Sequence, residues 1–205
     1  MCKLASRSRL PDSAANVPAV IMVHGWLGNE DVMWAFESYL PKGVAVFSPR
    51  GAIAAEGGYG WWRQDDYAAT FAQGVEALRD FVTGVRESYP IDPARLVLMG
   101  FSQGAAAAIA LALSAPRLVR GVALLAGFLP GPARAWATPN RLAGKHIFIA
   151  HGADDATVPV AEARSARDVL AATGAAITYG EYPAAHKMTP PGLRALRQWL
   201  IEMTR

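Results

Sequence analysis

Cysteine is almost missing from this chain: Cys2 is the only one in 205 residues. One thiol cannot close an intramolecular disulfide, so a bridged framework is excluded and a reducing compartment is expected. Cys2 itself reads as an unordered terminal residue. Residues 1–18 form a segment expected to be partly ordered; they carry Lys3, Arg7 and Arg9 with no apolar stretch behind them, so no secretory signal is expected. Long hydrophobic runs are lacking too, the Ala105–Ala115 stretch being too short to cross a membrane. Nor is one sign of charge in large excess: 20 Lys and Arg stand against 17 Asp and Glu, a net charge of +3. The arginines are scattered (Arg7, Arg9, Arg50, Arg63, Arg117, Arg120, Arg134, Arg141), and no basic stripe or aromatic-interleaved patch points to nucleic acid. No cluster of His, Cys and carboxylates stands out, and there is no Gly-x4-Gly-Lys phosphate loop, which argues against metallohydrolase and nucleotide readings. The expectation is a cytoplasmic protein with no metal or organic cofactor, no nucleic-acid partner and no stable membrane insertion.

What is present is apolar: 52% hydrophobic residues against 18% charged, enough for one domain with a substantial core. Short Val/Ile/Leu-rich runs predict strands at 19–24, 44–48, 95–100, 119–125, 145–150 and 175–182. Between them, helical patterns predict helices at 29–40, 64–89, 103–114, 160–173 and 190–204. The alternation implies an α/β fold, a mostly parallel six- to seven-stranded sheet with helices on both faces. In the longest helix Phe71, Val75, Leu78, Phe81, Val82 and Val85 recur three and four apart, one buried stripe. Connections 49–63, 127–144 and 184–189 leave strands by the carboxyl end, where open α/β sheets place their sites.

The chemistry-bearing motif is Gly100-Phe101-Ser102-Gln103-Gly104, a Gly-x-Ser-x-Gly between a strand and an alanine-rich helix. A serine on so sharp a turn needs neighbours with almost no side chain, and the helix that follows points its free N–H groups at any anion forming there. In an α/β-hydrolase the nucleophile is followed by an acid and then a histidine. Of the histidines after Ser102, His146 opens a strand at the wrong end and His151 precedes the candidate acids, which leaves His186. Asp154 and Asp155 are both candidates for the acid, since adjacent side chains diverge and normally only one reaches the imidazole. An oxyanion needs donors: the backbone N–H of Gln103, and one from the loop His24–Glu30, with Trp26 preferred and Leu27 second.

The chain thus resembles the phospholipase/carboxylesterase family of serine α/β-hydrolases, which includes the acyl-protein thioesterases. The matching pieces are His24-Gly25 with Gly28-Asn29-Glu30, Ser48-Pro49-Arg50-Gly51 leading to Gly57-Gly58 and Trp61-Trp62, the serine motif, His151-Gly152 with Asp155 and Val158-Pro159, and His186. In that family the aspartate three residues before Val-Pro is the triad acid, so the resemblance implies Asp155. Two departures stand out. Leu27 replaces the glycine usual two residues after the His-Gly pair, and the short N-terminus implies a missing or vestigial leading hairpin. The resemblance implies hydrolysis of carboxylic ester or thioester bonds through an acyl-enzyme on Ser102, with no cofactor. Trp26, Leu27, Trp61, Trp62, Phe128, Leu129 and Met188 are the candidates for an apolar acyl cleft. Arg50 fits either an acidic substrate group or a structural salt bridge. No insertion is long enough for a lid domain, so small or soluble acyl substrates are expected. The competing reading is a ligand receptor or lyase on the same fold.

Overall fold

The computed structural model describes residues 4–12 and 16–205; Cys2 lies outside them. Among the described residues nine strands run β1 (Ser6–Arg9), β2 (Val17–Val23), β3 (Ala45–Pro49), β4 (Ile53–Ala55), β5 (Gly58–Gly60), β6 (Ile91–Phe101), β7 (Gly121–Leu125), β8 (His146–Gly152) and β9 (Ala176–Tyr182). The α-helices are α1 (Tyr67–Ser88), α2 (Gln103–Ser114), α3 (Gly131–Arg134), α4 (Val160–Ala171) and α5 (Pro190–Thr204). Seven strands form one sheet in the order β1-β3-β2-β6-β7-β8-β9, and β4 and β5 pair as a separate hairpin. All neighbours in the large sheet are parallel except β1, which lies antiparallel on the edge of β3. This is the α/β-hydrolase fold, with the four-residue β1 as an antiparallel edge strand.

Alternation along the strands builds two cores. Ile21, Phe47, Leu98, Leu124 and Ile149 face the side covered by α1, α2 and α4, while Met22, Val46, Met99, Leu125 and Phe148 face α5. Helix α1 presents the predicted stripe: Leu78 and Val82 are fully buried, each contributing about 1.5–3 kcal/mol. Helix α2 is buried along almost all its length between α1 and the sheet, and its four consecutive alanines, Ala105–Ala108, suit that close packing.

Helix 29–40 is the largest departure from expectation. A 3-10 helix, Val32–Tyr39, occupies that stretch instead. Asn29 Oδ1 takes the N–H groups of Asp31 and Val32, and Trp34 and Leu40 bond three residues back. Local side-chain bonding of this kind competes with the α-helical pattern. Connection 49–63 holds the β4–β5 hairpin, and connection 127–144 holds α3. Strand pairing aligns the carboxyl ends of the central strands: Val23 opposite Gly100, Phe101 opposite Leu125, and Gly152 opposite Tyr182. The loops of interest leave from this edge.

Candidate active site

Ser102 sits at φ 54°, ψ −121°, in a region that costs a non-glycine residue about 1–3 kcal/mol. The turn is held by the Ser102 N–H on Leu125 O at 2.9 Å, and by Ser102 O accepting from Ala105 and Ala106. Sterics explain both glycines of the motif. A Cβ on Gly100 would lie 2.4 Å from Ala105 N, and one on Gly104 2.1 Å from Val23 O. As the first residue of α2, Gln103 has a backbone N–H with no partner inside the helix.

His186 leaves the loop after β9, its ring centroid 5.0 Å from that of Phe101, the residue before Ser102. Its Nδ1 meets Asp155 Oδ2 at 2.7 Å, so Nε2 is the nitrogen left for proton transfer. Asp155 is buried, with no exposed side-chain surface. Burial alone would raise its pKa, but the N–H of Val158, the His186 imidazole and the N–H of Thr157 outweigh burial and hold the carboxyl below the usual range. Asp155 Oδ1 accepts both backbone N–H groups at 2.9 Å. Asp154 is exposed, tied only through its backbone N–H to Ala184 O. Burial therefore separates the two aspartates that the residues alone left open.

His151 also belongs to this cluster, which the sequence did not suggest. It is buried, with Nε2 2.8 Å from Val158 O and 3.4 Å from Asp155 Oδ2, and its Nδ1 has no hydrogen-bond partner among the described residues. Its one signal in the sequence is its place four residues before Asp155.

Across from Ser102 lies the loop after β2. Gly25 approaches so closely that a Cβ there would be 3.3 Å from Ser102 Cβ. Trp26 and Leu27 are the central residues of a turn closed by Gly28 N–H on Gly25 O at 3.1 Å, with Leu27 at φ 62°. That positive φ is the conformation the glycine usual in the family adopts freely. His24 braces the loop from below: Nδ1 donates to Gly25 O and Nε2 accepts from Gly51 N–H, both at 2.7 Å. Those two bonds fix the neutral tautomer, and burial holds its pKa below the ordinary 6.5. The Trp61 indole donates to His24 O at 2.8 Å. Arg50 takes the structural role, bridging to Glu30 through Nε at 2.7 Å and Nη2 at 2.5 Å. It ties connection 49–63 to the loop after β2. The side chain of Gln103 adds a second tie that the sequence did not show. Its Oε1 accepts from Trp61 N–H at 2.8 Å, and its Nε2 donates to Trp62 O at 2.9 Å.

The apolar candidates divide. Trp26 and Leu27 stand 40% and 45% exposed at the mouth of the site. Phe128 and Met188 are half-buried. Trp61 and Trp62 are corrected from cleft wall to core: neither has any exposed surface. Trp62 packs edge-on against Tyr67, Phe71 and Phe128. The tryptophans anchor connection 49–63 because their backbone is bound to Gln103, which turns both rings inward. Leu129 is likewise interior, at 2%. Among the described residues no group of three His, Cys, Asp or Glu side chains could hold a metal ion.

A parallel sheet with a serine elbow on its central strand places the chain among the α/β-hydrolases, and solved structures agree on the fold. A carboxylesterase from Bacillus cereus superposes with a TM-score of 0.87 at 21% identity, covering 98% of this chain and 95% of that one. Acyl-protein thioesterase 2 from Zea mays gives 0.74 at 18% identity, covering 99% and 100%. The family model for phospholipase/carboxylesterase matches residues 59–203, and the chain belongs to that family of ester-hydrolysing enzymes. A curated relative, a probable carboxylesterase SOBER1-like protein of Arabidopsis thaliana, is 30% identical over 112 residues, 54% of this chain. That match spans 43% of the plant protein's own length. Among the described residues no helix is long and apolar enough to cross a membrane.

Proposed function

We propose that this protein is a serine carboxylesterase or thioesterase acting on small or soluble acyl substrates through an acyl-enzyme on Ser102. The observation that carries the reading is the buried Asp155 carboxylate on His186 Nδ1, in a loop beside a serine held at positive φ. His186 Nε2 removes the hydroxyl proton as Ser102 Oγ attacks the acyl carbon, and returns it to the leaving alcohol or thiol. Asp155 stays ionised, fixes the tautomer and stabilises the imidazolium. The oxyanion is received by the N–H groups of Gln103 and Trp26, each such donor contributing about 3–4 kcal/mol to the transition state. Water then repeats the cycle on the acyl-enzyme. Trp26 and Leu27, exposed beside the donor loop, offer apolar contact to the acyl group, with Phe128 and Met188 on neighbouring loops.

A panel of p-nitrophenyl esters and acyl thioesters, with fluorophosphonate labelling, tests the proposal. Wild type should turn over at least one class and take the label on Ser102, and Ser102→Ala should lose both. Labelling without turnover of any ester or thioester would favour the ligand-binding or lyase reading. An unlabelled wild type, or full activity in Ser102→Ala, would overturn the mechanism.

A further inference from the structure

The edge of the sheet opposite Ser102 carries an open cleft of about 610 Å³, lined by Arg86, Arg117, Arg120, Lys145 and His146 together with small and apolar residues. The cations come from the end of α1, the turn before β7 and the approach to β8, so the fold gathers side chains that lie far apart in the chain. Among the described residues no carboxylate lines the cleft. Asp92, the residue before Pro93 and Ala94 of the lining, acts on Arg120 from a distance while engaged with Arg95 at 2.6 Å. Backbone carbonyls fix two of the cations: Arg86 Nη1 donates to Arg117 O at 2.9 Å, and Lys145 Nζ to Val119 O at 2.8 Å. Like charges held close together repel one another, as Arg86 and Lys145 do here, and Asp92 offsets part of the charge at Arg120. Burial and the neighbouring Arg86 both act against the Lys145 ammonium. Such an arrangement is preorganised for an anion: the donors are already placed and the repulsion is relieved when negative oxygens enter.

We propose that this cleft binds a small soluble polyanion carrying two or more phosphate groups. Phosphate matches the mixture of guanidinium forks and one ammonium, and several cations call for more than one anionic group. The concave shape suits a small molecule. None of the large exposed apolar side chains, namely Leu10, Trp26, Leu27, Val32 and Tyr89, lines the cleft, so the contact that would seat it on a lipid surface is missing. At about 3.3 Å per residue, the strand from Ala94 to Ser102 puts roughly 25 Å between the cleft and the elbow. The site is therefore separate from the proposed ester chemistry.

Inorganic triphosphate is the probe, titrated by calorimetry at low ionic strength against the full chain. Binding is expected equally in wild type and Ser102→Ala, which keeps this proposal independent of the hydrolase reading. Arg120→Gln and Lys145→Gln should each weaken binding by about tenfold, the loss expected from one charge-assisted contact. Arg79→Gln, on α1 outside the cleft, should leave it unchanged. Each variant's melting temperature without ligand shows whether it folds, and Arg120→Gln keeps the test usable if the partly buried Lys145 proves structural. Absence of binding to wild type would overturn the proposal. So would binding that both cleft variants leave intact, or retention on phosphatidylserine vesicles or duplex DNA that triphosphate fails to displace.

Discussion

The two loops beside the Ser102 turn engage their histidines in opposite ways. The loop after β9 commits His186 through one side-chain bond to a buried carboxylate, and leaves the other ring nitrogen open. The loop after β2 is locked on every side. His24 has both ring nitrogens engaged, the Trp61 indole sits on the His24 carbonyl, and the Arg50–Glu30 pair clamps the far end. Two histidines near one serine thus serve different ends. In the proposed mechanism the lightly tethered one exchanges a proton, and the fully bonded one stays neutral so that backbone N–H groups are presented rigidly. An oxyanion donor is effective only if it is in place before charge develops, whereas a general base must change its protonation state during the reaction.

The sharpest way to break this contrast is at Asp155. Asp155→Asn offers an amide where His186 needs an acceptor, turning the imidazole to the wrong tautomer. By the precedent of serine-protease triads kcat should fall by about 10⁴-fold with the fold intact. Asp154→Asn, on an exposed side chain, should stay within a few-fold of wild type. Steady-state kinetics on the best ester of the panel decides it, and equal losses in the two variants would remove Asp155 from its role.

The other side of the comparison is probed at His24. His24→Leu leaves the Gly51 N–H buried without an acceptor, an expected loss of about 1–3 kcal/mol in unfolding free energy. Chemical denaturation measures it. The pH dependence supplies a second reading. With its folded pKa held below 6.5, His24 binds a proton in the unfolded chain before it does in the folded one. Its contribution to stability is therefore complete above pH 6.5 and declines as pH falls below that value. That part of the acid slope should vanish in His24→Leu. An unchanged slope would mean that His24 is not the group responsible.

Much of this contrast was not visible along the chain. The elbow was, because Gly100 and Gly104 spell out a steric requirement that one strand and one helix impose by themselves. Asp155 is singled out from Asp154 in the sequence only by the resemblance, through its spacing to Val158-Pro159; the residues alone leave two adjacent aspartates locally equivalent, and burial separates them. The bonds from His24 to Gly51 and from Gln103 to Trp61 join positions 27 and 42 residues apart, and no local pattern encodes them. The sequence puts Trp61 and Trp62 on the right connection but the wrong side of it, because an aromatic pair marks an anchor without saying which way it faces. The cations at the opposite edge of the sheet looked scattered because spacing in sequence says little about neighbours in a parallel sheet.

Leu27 is the one place where the locked loop carries a cost. A leucine at φ 62° is strained by about 1–2 kcal/mol relative to its right-handed form, and its 45% exposed side chain recovers little through packing. Leu27→Gly removes the strain but adds freedom to the unfolded chain, which offsets part of the gain. The net expectation is a stabilisation of about 0.5–1 kcal/mol, read as a small rise in melting temperature. If the proposed acyl contact is correct, the same variant should raise KM for apolar acyl esters a few-fold while leaving kcat for acetyl esters nearly unchanged. The backbone donors remain where they were, and only the apolar surface is gone. A fall in kcat for acetyl esters would instead mean that the leucine side chain helps set the geometry of the Trp26 N–H, making the locked loop dependent on the residue that strains it.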